Sequence, residues 1–178
     1  MTFIIRSEVK LPIVVSEFSD HKRLKPILLE AIQKTEFTNA NGGSQDNITR
    51  TDWFCNKNHD GAGYFDILKP SLDAHLMDVY SKLHYNSVKY SGVWFQQYNN
   101  LDEHSYHRHD FTHWTNVYYL ELPNGCPGTT VLDPFDYSTE FTPDVYEGYI
   151  LTMPSILAHC SKPNISNKRK TVISFNIW

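Results

Sequence analysis

Four of the nine histidines in this 178-residue chain fall within ten positions, in the run HSYHRHDFTH from His104 to His113. Inside it, His107 and His109 form an H-x-H pair. In an extended chain, residues i and i+2 project from one face, about 6.6 Å apart along the strand. Two imidazoles so placed can converge on one ion. A third donor comes from PSILAHCSKPN (Pro154 to Asn164), which supplies His159 just after the apolar run GYILTM. Three protein ligands leave coordination positions open, and nitrogen donors with open positions suit Fe(II) oxygen chemistry. Against this stand plainer readings. A His-rich loop is usually a solvated loop, an H-x-H pair alone is common, and a lone histidine such as His159 is more often a core-edge residue than a ligand. The combination in strand context favours a metal site. His104 and His113 read as structural or surface residues, because their neighbours give them no partner. Asp110 should point to the face opposite His109.

Elements that could position such a site are legible on both sides. The aromatic runs VWFQQY (93–98) and TNVYYLEL (115–122) flank the histidines, and TTVL, GYILTM and TVISFNIW follow, separated by NG, PG and EG turns. Short alternating or apolar runs at this spacing predict an antiparallel sandwich or barrel. Upstream, TFII and LPIVV read as short strands. Leu24, Ile27, Leu28, Ala31 and Ile32 predict a helix over 20–34, with Pro26 near its first turn or kinking it. Leu68, Leu72, Leu76, Val79, Tyr80 and Leu83 predict a second helix, with Pro70 and Ser71 near its start. NANGGSQDN (39–47) reads as a loop delivering ITRTDWF. The expected fold is mainly β with α+β character, in one domain over 1–178. Residues 1–88 form a helical support, and 89–178 form the sandwich core.

Composition narrows the functions. A net charge of −4 and a pI near 6.1 give no basic surface for nucleic acid or anionic lipid. The short cluster NKRK (167–170) does not change that. Three cysteines without C-x-x-C spacing indicate neither a disulfide framework nor a thiolate zinc site. With no apolar segment long enough for a bilayer, a soluble cytoplasmic protein is expected.

The stretches WFQQYNNLDEHSYHRH, TNVYYLELP, EGYILTMPSILAHCSKPN and RKTVISFN together resemble the 2-oxoglutarate- and Fe(II)-dependent oxygenases, in particular the small members encoded by tailed phages and marine bacteria. The likeness covers roughly residues 90–178, and TRTDW (49–53) is similar to their N-terminal half. The resemblance implies a double-stranded β-helix, a jelly-roll or cupin-like sandwich. It implies His107, His109 and His159 as metal ligands and catalytic centre, with His109 standing where the wider superfamily has the carboxylate of H-x-D. It places Tyr98 against the oxoacid and a basic residue beyond His159 on the far carboxylate of 2-oxoglutarate. That residue is Arg169, which the fork geometry and the nearby Thr171 hydroxyl favour slightly, or Lys170, which alignment on PN and SFN favours. The two cannot share a face of one strand. The implied reaction consumes 2-oxoglutarate and O2, releases succinate and CO2, and oxidises a C–H bond of a substrate the sequence does not identify. A homodimer and, for a phage-encoded protein, a host-cytoplasmic location belong to the same expectation. Two other readings compete: a cupin-like three-histidine metal enzyme without the oxoacid, and a non-enzymatic sandwich of a phage particle or interaction module.

Overall fold

The computed structural model describes residues 11–40, 46–55 and 63–178. The expected strand TFII and most of the NANGGSQDN loop lie outside the described residues. Strand β1 (Val14–Glu17) leads into helix α1 (His21–Lys34), which buries Leu24, Leu28 and Ile32 along one stripe with Pro26 inside it. Helix α2 (Gly63–Lys82) begins seven residues before Pro70, not at it. Proline removes one amide donor and costs about 3 kcal/mol in a helix interior. Tyr64, Phe65, Leu68 and Leu72 are buried on both sides of it, and each fully buried apolar side chain contributes roughly 1.5–3 kcal/mol. Burial outweighs the proline.

The remaining strands are β2 (Thr38–Ala40), β3 (Ile48–Thr51), β4 (Tyr90–Tyr98), β5 (His104–His107), β6 (Trp114–Glu121), β7 (Thr129–Leu132), β8 (Glu140–Phe141), β9 (Tyr149–Pro154), β10 (His159–Ser161) and β11 (Lys170–Ile177). A seven-stranded sheet has the order β1-β9-β6-β11-β4-β3-β2, and a four-stranded sheet the order β5-β10-β7-β8. The expected β-sandwich with helices packed on it is what the chain forms, a jelly-roll-like double-stranded β-helix. The first 88 residues are more than a helical support: β1 pairs with β9 and β3 with β4, extending the large sheet at both edges.

Period-two alternation sorts each central strand between two cores. Val93 and Phe95 of β4, Tyr118 and Leu120 of β6, and Ile173, Phe175 and Ile177 of β11 pack against the helices. Tyr98, Val117, Tyr119, Val172, Leu151 and Met153 pack in the sandwich interior. Buried Asn164 locks the turn before β11, its amide donating to Tyr98 O at 3.0 Å and Lys168 O at 2.9 Å. That turn fixes which residue of NKRK enters the strand facing inward.

Candidate metal centre

β5 and β10 pair antiparallel with His107 directly opposite His159. The strand does not run on to His109 as the i, i+2 picture supposes. β5 ends at His107, and His109 lies just past it, its backbone N–H donating to Ser155 O at 3.2 Å. The rings still meet. Their centroids are 4.4 Å apart for His107 and His159, and 5.1 Å for His109 with either of the others. One ring nitrogen from each lies within 4.8 Å of the other two. A triangle with no side above that limit has a point at most about 2.8 Å from every corner, so the rings need draw in by no more than about 0.5–0.8 Å to reach metal–imidazole distances of about 2.0–2.3 Å. Side-chain torsions supply that much. Asp110 is exposed.

The donor set suits a metal. His107 Nδ1 donates to Ser105 O at 2.8 Å and His159 Nδ1 to Leu157 O at 2.9 Å, so both rings keep the Nε2 lone pair bare. Burial holds every ring of the cluster neutral: His109 is pushed down to about 3, first by burial and then by His107 and His104, His159 falls well below the usual range through burial and then His107 and His109, and His107 is lowered by burial. His109 stacks with two flat neighbours, Trp94 at 5.5 Å and 28° and His159 at 5.1 Å and 12°. The sequence left His104 without a partner, and the fold gives it two. It stacks on His107 at 3.9 Å, and Gln96 Nε2 donates to its Nδ1 at 3.2 Å. His113 is structural: its ring contacts Tyr85 and Trp178.

From this cluster a narrow cavity of ≈ 30 Å³ runs into the sandwich, lined by Trp94, Tyr98, Thr129, Ser161, Lys170 and Val172 among others. Lys170 closes it. The side chain is 2 % exposed, its Nζ donates to Pro127 O at 3.0 Å and Ser161 Oγ at 2.9 Å, and it sits 5.4 Å from the Tyr98 ring centre. Burial lowers its pKa to about 8, and no carboxylate pairs with it among the described residues. Arg169 goes the other way. It forms a fork on Glu121, with Nε at 2.8 Å and Nη2 at 3.0 Å, where Thr171 also donates. The slight preference for Arg169 and Thr171 is therefore corrected. Both point away from the cavity, because Lys170 pairs with Tyr98 in register and carries the inward face of β11. Ser161, Gln96, Trp94 and Asn176 were missed. Ser174 and Asn176 did leave a signal, as polar residues at the inward alternate positions of an otherwise apolar strand.

A second chamber of ≈ 260 Å³ opens on the other side of the histidines, sharing Trp94, Gln96, His104, His107 and His109 and walled further by Asp46, Trp53, Phe54 and Arg108.

No protein-family model matches the chain, and no curated protein matches its sequence. Solved structures do. A viral collagen prolyl hydroxylase from Paramecium Bursaria Chlorella virus-1, in its 2-oxoglutarate complex, aligns over 93 % of this chain and 94 % of that one with TM-score 0.60 at 15 % identity. A Pseudomonas putida prolyl-4-hydroxylase aligns over 93 % and 91 % with TM-score 0.65 at 13 % identity. The chain has the fold of the 2-oxoglutarate- and Fe(II)-dependent oxygenases. An α-ketoglutarate-dependent epimerase of nogalamycin biosynthesis, SnoN, aligns over 93 % and 75 % with TM-score 0.68 at 13 % identity. The oxygenase fold thus spans hydroxylation and epimerisation among these neighbours, so the reaction has to be argued from the site.

Proposed function

We propose that the protein is a 2-oxoglutarate-dependent Fe(II) oxygenase in which His107, His109 and His159 hold the metal and Lys170 anchors the far carboxylate of the oxoacid. The observation that carries this reading is the buried ammonium of Lys170, without a carboxylate partner among the described residues, at the closed end of a cavity whose other end is the histidine cluster. A buried cation without a counter-charge is unfavourable, and a dicarboxylate supplies the missing charge. Bound Fe(II) and 2-oxoglutarate would couple oxidative decarboxylation to oxidation of a substrate C–H bond.

The chain's own residues do the positioning. Ser161 Oγ and Pro127 O hold the Lys170 ammonium in place, and Tyr98 packs beside it. Val117 and Val172 line the cavity and limit water around the oxoacid. Three neutral imidazoles leave the double positive charge of the metal uncompensated, which increases its demand for an anionic chelator and partly offsets the absence of the H-x-D carboxylate. The cavity is tight, so an oxoacid must push side chains apart on entry. The outer chamber, with Trp53, Phe54 and Trp94 on its walls, takes the substrate.

Anaerobic titration of the purified chain with Fe(II) and then 2-oxoglutarate tests the proposal. One metal and one oxoacid per chain, with an absorbance band from the chelate, are expected. Iron binding with no response to the oxoacid would favour the cupin-like enzyme, and failure to bind either would leave a non-enzymatic sandwich.

A further inference from the structure

His109, the ligand that replaces a carboxylate, carries a hydrogen bond unlike those of its two companions. His107 and His159 donate from Nδ1 to backbone carbonyls, which fixes Nε2 as the bare nitrogen. At His109 the sense is reversed: Asn176 Nδ2 donates to Nδ1 at 3.3 Å, so the proton of the neutral ring sits on Nε2. Thr115 Oγ1 sets the amide by donating to Asn176 Oδ1 at 3.1 Å. Thr115 and Asn176 are both buried, at 1 % and 8 % exposure, so water has little access to replace either bond. Trp94 and His159 both stack on the ring.

We propose that Asn176 is the positioning residue of the centre and that its side-chain amide turns over when the metal binds. In the free protein it donates to His109 Nδ1. In the loaded protein it accepts from His109 Nδ1–H, and the bare Nε2 completes the ligand set. The turn-over keeps the Asn176 amide paired in both states, because a hydroxyl both donates and accepts: Thr115 gives its proton to Oδ1 in one state and accepts from Nδ2 in the other. No proton is lost. The ring exchanges an N–H on Nε2 for one on Nδ1 through solvent. This rests on the three-histidine reading above and adds to it that β11 supplies both ends of the site, Lys170 for the oxoacid and Asn176 for the metal.

The test uses the imidazole ¹⁵N resonances of the full chain, free and with Zn(II) as a diamagnetic probe, beside Zn(II) affinities of variants. His109 should show the Nε2–H tautomer when free and Nδ1–H with zinc, while His107 and His159 keep Nδ1–H throughout. Asn176→Asp, which only accepts, should hold His109 as Nδ1–H even without metal and bind zinc at least as tightly as wild type. Asn176→Ala should weaken zinc by about 10–100-fold, as loss of a group orienting a ligand typically does. A His109 tautomer identical in both states, or equal zinc affinity for wild type and Asn176→Ala, would overturn the inference while leaving the metal site standing. Zinc that perturbs neither His107 nor His159 would instead remove the metal reading itself. Circular dichroism checks that each variant is folded.

Discussion

Lys170 is where chemistry and stability pull apart. Its pKa is about 8 in the fold, against an ordinary lysine value of 10.5. The unfolded chain therefore binds the proton more strongly, and stability rises as pH climbs from about 8 to 10.5. Lys170→Met keeps the volume and removes the charge. It should raise unfolding stability at pH 7 by on the order of 1–3 kcal/mol, since one pKa unit corresponds to about 1.4 kcal/mol, and it should abolish 2-oxoglutarate binding while Fe(II) still binds. Calorimetry on both ligands and a denaturant titration measure the three effects; a destabilised variant that still takes the oxoacid would place the anchor elsewhere. His159→Ala is the complementary change. Metal binding should disappear, with an unfolding midpoint close to that of the metal-free wild type. Collapse of the variant would make His159 structural.

At the scale of elements, the inner cavity depends on β4, which contributes Trp94, Gln96 and Tyr98 to it. The buried carboxylate of Asp52 ties that strand to α2, accepting from Phe95 N–H at 2.8 Å and Tyr64 Oη at 2.8 Å. Asp52→Ala removes the acceptor of both these hydrogen bonds. Hydrogen bonds to charged groups contribute about 1.5–3 kcal/mol each, so the variant should lose about 3 kcal/mol or more in a urea titration. Asp52→Asn, which retains an acceptor, should lose less. Equal, small losses in both would mean that α2 and the large sheet hold β4 without it.

Over the whole molecule, burying a histidine cluster has a cost in acid. His109 titrates at about 3 and His104 at about 4 in the fold, both chiefly because burial disfavours the charged ring. The unfolded chain protonates these residues near pH 6.5. As pH falls below that value the unfolded state takes up protons that the folded state refuses, and stability is lost, by up to about 1.4 kcal/mol per group for each pH unit. The urea midpoint of the metal-free protein should therefore drop between pH 6.5 and 4.5. His104→Gln with His109→Gln should flatten that slope. An unchanged slope in the double variant would assign the acid sensitivity to other groups.

Fold class was legible in the chain because alternation and turn spacing are local properties: VWFQQY, TNVYYLEL and TVISFNIW carry their inward and outward faces within a few residues of each other. The H-x-H pair and a distal histidine after an apolar strand are local in the same sense, although the end of β5 at His107 was not. The choice between Arg169 and Lys170 was not local. It depends on which face β11 turns inward, and that is set by its register with β4, by the Asn164 turn and by an irregularity on the β6 side between Thr171 and Val172. The partners of His104 and His109 were illegible for a related reason. Gln96 lies 8 residues from His104, and Asn176 lies 67 residues from His109 on another strand. Sequence determined which chemistry-bearing residues the chain owns and the period on which they lie. Only tertiary packing, by bringing β5, β10 and β11 around one cavity, decided which of them face it.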